Sequence, residues 1–261
     1  MKSDHRARRL RTERYAAGLF SAIFHAPDLS RAIRAGQFVM LDVPGRVRPY
    51  LRRAYSVADA RPETGEVEFL VKTIGMGTAA LEEMADGAGA ALLGPLGNAF
   101  SIEGLPRGVR VAVVAGGIGA APFPMLYRAF AAAGVAGDFF LGGRSERDLA
   151  FRRRFDGLVT GKTFLATDDG SLGEKGLVTE VFRSRAREIR YARLFACGPM
   201  PMFRSLARVA EDLGVPAQFS TEAEMGCGFG ACLGCVIPAT DKPFLVSCTE
   251  GPILSPERIR W

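Results

Sequence analysis

The first hundred residues contain short apolar runs separated by turn-forming residues. Two such runs, 37–43 and 66–72, lie close to proline or glycine. In the second run charged and apolar residues alternate, as expected for a strand with one buried face. A helix is predicted near 78–85. Several short strands with turn signals between them predict a small antiparallel β-barrel over 1–103.

The pattern changes after residue 104, where apolar strand-like runs alternate with helical periodicity. The first run, 109–115, is followed by an apolar helix predicted at 122–133. Further strands are predicted at 138–141, 163–166 and 193–196, with helices at 146–155, 177–187 and 201–213. This alternation predicts an α/β domain over 104–216, with a parallel sheet and helices on both faces. Residues 217–261 lack helical periodicity and are predicted to form a small third module.

Positive charge is concentrated at the start of the chain. The 261 residues carry a formal net charge of +6, and the first fifteen hold six basic and two acidic side chains. Elsewhere basic and acidic residues are mixed, whereas a nucleic-acid-binding protein is expected to show a basic helix or stripe. We therefore expect a solvated, partly ordered N-terminal segment and no nucleic-acid partner.

From the hydropathy of the sequence we expect no membrane-spanning helix. No apolar segment reaches the roughly 18 uninterrupted residues that such a helix requires. The first residues also lack the apolar stretch of a signal peptide. The sequence therefore predicts a cytoplasmic protein without a membrane partner, and its hydrophobic fraction of 48% suffices for buried cores.

Four of the five cysteines lie within 22 residues near the end of the chain. Cys227, Cys232, Cys235 and Cys248 have the spacing C-x4-C-x2-C, with twelve residues before the last cysteine. This is the plant-type pattern for a [2Fe–2S] cluster, and the glycines after Cys227 permit the tight turns of a cluster loop. The alternatives are structural zinc, which usually has two C-x2–4-C knuckles, and disulfides, which are rare in the cytoplasm.

Two stretches of the predicted barrel carry groups suited to a flavin nucleotide. The first lies between two predicted strands and consists of Arg53, Ala54, Tyr55 and Ser56. Its guanidinium would approach a pyrophosphate, with the aromatic ring and hydroxyl beside an isoalloxazine. An ordinary strand with a surface arginine would show the same residues. In the second stretch, Gly77 and Thr78 open a predicted helix whose N–H groups would bind an anion, although Thr78 would also serve as a simple cap.

A second crevice is predicted at the carboxyl ends of the parallel strands, where α/β sheets bind ligands. The first strand is followed by Gly116, Gly117 and Gly119, which do not form the G-x-G-x-x-G fingerprint. The last strand ends in Cys197, Gly198 and Pro199. Cys197 would lie near a bound nicotinamide, or it would be only a small buried apolar residue.

In this order the motifs resemble those of the ferredoxin–NADP⁺ reductase superfamily. Within it the chain looks like the electron transfer subunits of dihydroorotate dehydrogenase B, and the resemblance covers nearly the whole chain. The position of the cysteine cluster near the C-terminus is its most specific feature. Two departures are Ala54, where many members have proline, and Val71, which precedes Lys72 where an aromatic residue is frequent.

The resemblance implies FAD, a [2Fe–2S] cluster and NAD(P)(H) as the redox groups. FAD would contact Arg53, Ala54, Tyr55, Ser56, Leu70, Val71, Lys72, Gly77 and Thr78. The nicotinamide nucleotide would contact Gly116, Gly117, Gly119, Cys197, Gly198 and Pro199. The four clustered cysteines would hold the cluster. No catalytic side chain is implied, because the cofactors relay the electrons.

The resemblance also implies a partner, an FMN-containing catalytic subunit that in the family is the dihydroorotate dehydrogenase of pyrimidine biosynthesis, assembled as a heterotetramer. The alternatives are the reductase subunit of a sulfide dehydrogenase or of a ferredoxin–NADP⁺ oxidoreductase complex, a stand-alone oxygenase reductase, and a non-enzymatic zinc-binding interaction module. Arg144 and Arg147 follow the second parallel strand, but the sequence does not decide between NADH and NADPH.

Overall fold

The short apolar runs of the first hundred residues form seven antiparallel strands in this computed structural model, which describes residues 3–42 and 51–261. The strands are β1 (Ser3–Ala16), β2 (Leu19–His25), β3 (Phe38–Asp42), β4 (Arg53–Ser56), β5 (Asp59–Arg61), β6 (Glu66–Lys72) and β7 (Gly89–Leu96). Their order in the sheet is β4-β3-β7-β1-β2-β6-β5. The strand predicted at 66–72 is confirmed as β6. The strand predicted at 37–43 is confirmed as β3, while Val43 lies outside the described residues.

A single extended segment joins the two edges of this sheet and closes the barrel. β4 pairs with β3 at one edge, and β5 pairs with β6 at the other. Between them the N–H of Val57 donates to the carbonyl of Gln37 at 3.1 Å, and that of Ala58 donates to Glu68 at 2.8 Å. The predicted antiparallel barrel is therefore present. Two short helices accompany it, α1 (Pro27–Ala32) and α2 (Met76–Glu82), the second beginning earlier than predicted.

The basic N-terminal segment is a central strand of the barrel, so the expectation of a solvated, partly ordered segment is wrong. β1 pairs with β2 on one side and β7 on the other, which satisfies its backbone polar groups. Arg9 is only 1% exposed, and its guanidinium donates to the carbonyls of Arg11 and Leu81, each at 3.1 Å. It also lies 5.2 Å from the centroid of the Phe24 ring, a cation–π contact. These contacts replace the water that the positive charge would otherwise require.

The alternating strands and helices form a second sheet that is parallel except for its last strand. Its strands are β8 (Arg110–Gly116), β9 (Ala136–Gly143), β10 (Thr163–Thr167), β11 (Glu174–Lys175), β12 (Leu194–Cys197) and β13 (Ala217–Ser220). Two later strands, β14 (Val236–Pro238) and β15 (Phe244–Val246), form a separate hairpin, and β16 (Ile253–Leu254) returns to the sheet. The order in the second sheet is β11-β10-β9-β8-β12-β13-β16.

The four helices predicted for the α/β domain are confirmed in place, and a further short 3₁₀ helix, Gly117–Ala120, precedes the first of them. They are α3 (Phe123–Ala133), α4 (Val178–Glu188) and α5 (Met200–Asp212), and the helical stretch predicted at 146–155 is the 3₁₀ helix Glu146–Phe155. A short helix, α6 (Ser247–Glu250), follows β15, and a 3₁₀ helix, Pro256–Arg258, follows β16. No helix in the described parts of the chain has the length and apolar character needed to cross a bilayer.

Helices cover both faces of the parallel sheet, as predicted. Val111 and Val113 of β8 pack in one core with Tyr127 of α3, whereas Val114 packs in another core with Phe182 of α4. Because side chains alternate along a strand, the continuous apolar sequence of β8 corresponds to a strand that is buried on both faces.

The cysteine-bearing module is inserted between two neighbouring strands of the parallel sheet. The chain leaves the sheet after Ser220, forms the cysteine loop and the β14–β15 hairpin, and returns at Ile253, which pairs with Ser220. The small core of the module contains Ile237, Ala239, Leu245, Leu254 and Ile259. Both ends of the module are therefore anchored in the α/β domain.

A buried ionic network joins the barrel to the α/β domain. Arg154, in the 3₁₀ helix, donates to Glu68 at 2.6 Å and to Asp59 at 2.9 Å. Arg128 of α3 donates to both oxygens of Asp59, at 2.8 and 2.9 Å, and Ser21 donates to Glu68 at 2.6 Å. Asp59 and Glu68 are 1% and 6% exposed, so these partners replace most of their hydration.

Replacing the central arginine should destabilise the junction of the two domains. Arg154→Met leaves Glu68 and Asp59 short of a buried cationic partner, and we expect a loss of about 3 kcal/mol in the free energy of unfolding. Urea denaturation followed by circular dichroism measures this loss. The neighbouring Arg153 is exposed, and Arg153→Met should change stability by less than about 0.5 kcal/mol. Equal effects of the two substitutions would contradict the role of the network.

Candidate functional site

The predicted isoalloxazine strand lies at the edge of the barrel. Arg53, Ala54, Tyr55 and Ser56 are the four residues of β4, and Ala54 pairs with Met40 of β3. The ring of Tyr55 lies 6.0 Å from that of Phe69 in β6, which brings β4 and β6 together across the barrel. Burial raises the pKa of Tyr55 to about 12, although the positive charge of Arg53 acts to lower it. The phenol therefore stays protonated at neutral pH.

Arg53 lies beside the start of α2, as a shared pyrophosphate site requires. A Cβ atom placed on Gly77 would be 3.2 Å from both Cγ and Nε of Arg53, so the glycine allows the guanidinium to approach the helix. The Arg53 side chain donates to the backbone carbonyls of Leu51 and Arg52, and no carboxylate pairs with it among the described residues. Its charge is therefore available to an anion. Thr78 closes the turn before α2, where its hydroxyl accepts from the N–H of Gly75 at 3.1 Å.

The second predicted flavin strand connects the barrel to the α/β domain. Leu70 and Val71 are buried in β6, and Leu70 packs in the same apolar core as Cys197. Lys72 is exposed and its ammonium lies 2.8 Å from the Asp148 carboxylate, which belongs to the α/β domain. The structure thus directs Lys72 to the domain interface.

The glycines of the predicted nicotinamide crevice make close backbone contacts. A Cβ on Gly119 would lie 2.4 Å from the carbonyl oxygen of Cys197, and one on Gly116 would lie 2.8 Å from Cδ of Pro199. A Cβ on Gly198 would lie 3.1 Å from the backbone nitrogen of Gly116. The ends of β8 and β12 therefore meet only because these residues lack side chains.

Gly117 faces open space in the same crevice. It has a φ of +53°, and no heavy atom lies within 4 Å of the position of a Cβ. A backbone in this conformation next to open space permits the close approach of a ligand.

Two residues beside Cys197 were not identified from the sequence. Cys197 is 1% exposed, and burial raises its pKa far above the usual range, with the negative charge of Glu222 adding to the shift. Ser220 shares a hydrogen bond with the thiol. Desolvation also raises the pKa of the Glu222 carboxyl. Both residues stand at the carboxyl end of β13, the strand next to β12, and this adjacency is the signal that would have identified them.

The four clustered cysteines form two pairs. The N–H of Cys232 donates to Sγ of Cys227 at 3.4 Å, and the N–H of Cys248 donates to Sγ of Cys235 at 3.3 Å. All five cysteines of the chain are free thiols. No group of three or more His, Cys, Asp or Glu side chains within residues 3–42 and 51–261 is arranged around a single metal ion. Two thiol pairs supply two ligands to each iron of a two-iron cluster.

The two pairs differ in the pKa values of their thiols, and backbone donors contribute to this difference. Desolvation acts to raise the pKa of Cys227, but the N–H groups of Cys232 and Phe229 outweigh it and lower the pKa to about 6. Burial and the neighbouring Cys235 thiol raise the pKa of Cys248 to about 12. N–H groups directed at sulfur are the donors that stabilise metal-bound thiolates, so the loop fits an iron–sulfur cluster.

The cysteine loop lies directly on the barrel. A Cβ on Gly228 would be 2.4 Å from Cγ of Met40 and 3.2 Å from Leu96, so the loop backbone touches β3 and β7. Cys235 and Cys248 are buried in one apolar cluster with Met40 and Leu96. Because Met40 is paired with Ala54, the cysteine loop lies on the strand next to the predicted isoalloxazine strand.

Two family models match the parts of the chain that carry these groups. A model described as "Oxidoreductase FAD-binding domain" matches residues 19–100, which include β4 and the start of α2. A model described as "Iron-sulfur cluster binding domain of dihydroorotate dehydrogenase B" matches residues 222–260, which include the four cysteines. The chain therefore carries both an FAD-binding and an iron–sulfur-binding domain.

A solved structure of the NADH-dependent reduced ferredoxin–NADP oxidoreductase, studied for flavin-based electron bifurcation, superposes with a TM-score of 0.86. It is 28% identical to this chain and the match covers 97% of this chain and 89% of the other. The ferredoxin reductase of carbazole 1,9a-dioxygenase superposes with a TM-score of 0.72 at 24% identity, over 84% of this chain and 69% of the other. The second similarity shows a shared fold.

Curated relatives are similar over most of their length. The chain is 37% identical over 220 residues to "Dihydroorotate dehydrogenase B (NAD(+)), electron transfer subunit" of Bacillus caldolyticus, covering 84% of this chain and 83% of the relative. It is 34% identical over 241 residues to the protein of the same name from Desulforamulus reducens, covering 91% of each. Together with the thiol pairs and the flavin strand, these similarities show that the chain belongs to the family of dihydroorotate dehydrogenase B electron transfer subunits.

Proposed function

We propose that the chain relays electrons between a nicotinamide nucleotide and an FMN-containing catalytic subunit that oxidises dihydroorotate. The observation that carries the proposal is the contact of the cysteine loop with β3, one strand from the residues suited to FAD. When bound, FAD supplies two-electron exchange with the nicotinamide, and the [2Fe–2S] cluster supplies one-electron transfer. The reduced thiols that hold such a cluster fit a cytoplasmic location.

The residues of the chain bind and orient these groups. The guanidinium of Arg53, which has no carboxylate partner within residues 3–42 and 51–261, would hold the FAD pyrophosphate beside Gly77, as bidentate arginine contacts do with phosphate. The open backbone at Gly117 would admit the nicotinamide nucleotide to the crevice between β8 and β12. Cys197 is buried and stays protonated at neutral pH. It would therefore form an uncharged part of the crevice wall. No side chain is required as a general acid or base.

The surface around the cysteine loop is suited to a protein partner. Cys232 is exposed, and it is flanked by Phe229 and Leu233, which are 47% and 61% exposed. Val236 and Phe244 of the β14–β15 hairpin extend this apolar surface and are 43% and 51% exposed. An exposed apolar surface of this kind marks a protein interface. We assign it to the catalytic subunit, with which the chain would form a heterotetramer.

A second candidate function is that of a reductase subunit in a ferredoxin–NADP⁺ oxidoreductase complex. The superposition with the NADH-dependent reduced ferredoxin–NADP oxidoreductase over 97% of this chain favours it. Affinity purification from the native cells distinguishes the candidates. Recovery of a dihydroorotate-oxidising FMN protein supports the first function, and recovery of a subunit that reduces ferredoxin supports the second.

The cluster assignment predicts that iron binding requires the exposed ligand Cys232. Cys232→Ala should abolish the bound iron and the visible cluster absorbance after anaerobic purification, because one iron loses a thiolate. FAD should remain bound. Iron, acid-labile sulfide and flavin analyses measure these quantities. Cys197→Ala removes the remaining cysteine of the chain and should retain full iron content. Wild-type protein that contains zinc in place of iron would contradict the assignment.

The flavin assignment predicts that Arg53 acts on the pyrophosphate. Arg53→Ala should weaken FAD binding by roughly ten- to a hundredfold, the effect of losing hydrogen bonds to a charged group. Fluorescence titration of flavin-free protein measures the affinity. Arg52 donates to both oxygens of Asp4, at 2.6 and 2.8 Å, and Arg52→Ala should leave FAD affinity unchanged. Riboflavin has no pyrophosphate, so an equal loss of riboflavin affinity in Arg53→Ala would contradict this role.

The interface assignment predicts that a charge on the apolar surface weakens partner binding. Leu233 has a φ of +54°, a left-handed conformation that leucine rarely adopts. Leu233→Glu should weaken binding of the catalytic subunit about tenfold or more, with iron and FAD content unchanged. Leu213→Glu places the same charge on an exposed leucine after α5 and should bind like wild type. Surface plasmon resonance measures both, and equal affinities would refute the assignment.

A further inference from the structure

The chain just after the last barrel strand holds the cysteine module through Asn98. Oδ1 of Asn98 accepts from the N–H of Ile253 at 2.8 Å, and Nδ2 donates to the Ile253 carbonyl at 2.8 Å. Nδ2 also donates to the carbonyl of Glu250 at 3.4 Å, and the Asn98 backbone N–H donates to Gly251 at 2.7 Å. The side-chain amide thus pairs with Ile253 through one donor and one acceptor, as a neighbouring strand would.

The neighbouring Gly97 allows this contact to be close. It has a φ of +71°, and a Cβ on it would lie 2.5 Å from Cδ of Pro252 and 2.9 Å from the carbonyl oxygen of Gly251. On the barrel side, Gln37 is 7% exposed and donates from Nε2 to the Gly97 carbonyl at 2.9 Å. Asn98 is therefore fixed to the barrel before it reaches the module.

The segment that Asn98 holds follows directly on a cluster ligand. Cys248 lies in α6, and the N–H of Gly251 donates back to Ser247 at 3.0 Å. On the opposite side, Thr221 donates from its N–H and its hydroxyl to the Pro252 carbonyl, at 2.9 and 2.8 Å. The turn after Cys248 is thus held by the α/β domain on one side and by Asn98 on the other.

We propose that Asn98 is a positioning residue for the iron–sulfur cluster, acting through the turn that carries Cys248. The inference rests on the proposed function, because it assigns the clamp to a cluster bound by the four thiols. Without the amide, the N–H of Ile253 loses its acceptor and the carbonyl of Ile253 loses a donor. The backbone bond from Asn98 to Gly251 and the apolar contacts with Met40 and Leu96 remain. The position of the Cys248 turn relative to the barrel is then less firmly held.

A matched substitution separates this role from general stabilisation. Gln218 of β13 makes the same kind of contact, accepting from the N–H of Ser101 at 2.9 Å and donating to its carbonyl at 2.8 Å. Its side-chain hydrogen bonds join the α/β domain to Ser101, in the segment after the barrel, and not to the turn after Cys248. Asn98→Ala and Gln218→Ala therefore remove equivalent hydrogen bonds at two different junctions.

The full-length variants are purified anaerobically, and iron release to bathophenanthroline is followed by absorbance. Asn98→Ala should release iron about tenfold faster than wild type, and NADH should reduce its cluster more slowly, while FAD content is unchanged. Gln218→Ala should match wild type in both rates. Asn98→Asp keeps the acceptor but loses the donor, so it should release iron at an intermediate rate. It replaces Asn98→Ala in the test if that variant is insoluble.

The outcomes distinguish failure of the role of Asn98 from failure of the proposed function. Iron release from Asn98→Ala at the rate of Gln218→Ala, or from Asn98→Asp at the wild-type rate, would overturn the clamp and leave the proposed function standing. Wild-type protein without iron would overturn the proposed function and the clamp together.

Discussion

The close approach of Gly228 to the barrel determines where the cysteine loop lies. A side chain at this position would overlap Met40, whose Cγ is 2.4 Å from the site of a Cβ. Met40 is paired with Ala54, so this contact places the cysteine loop on the strand that neighbours β4, the strand suited to FAD. Electron transfer between two groups requires that they lie close together. A larger residue at position 228 would force the loop and Met40 apart.

Features that depend on local pattern were predictable from the sequence. The alternation over 66–72 gave β6, and the continuous apolar run before the glycines gave β8, because each pattern reports burial along one element. The cysteine spacing was informative for the same reason, since ligands close in sequence must lie close in space. Arg53 and Gly77 were identified separately, and the fold supplied their contact.

Features that depend on distant partners were not predictable. The hydrogen bonds of Arg9 to Leu81, Arg154 to Glu68 and Asn98 to Ile253 join residues separated by 72, 86 and 155 positions. Arg9 was misassigned for this reason, because a run of basic residues is usually solvated and only its partners show that β1 is central. Glu222 escaped notice because its neighbour Cys197 lies on another strand.

The insertion of the cysteine module into the parallel sheet has a mechanical consequence. Ser220 and Ile253 are cross-strand neighbours, so the iron-binding loop is tethered at both ends to one body. The same loop also rests on the barrel, through Gly228 and Asn98. It therefore joins the two domains at a second place, apart from the ionic network of Arg154. A displacement of one domain relative to the other would have to break contacts on one side of the loop.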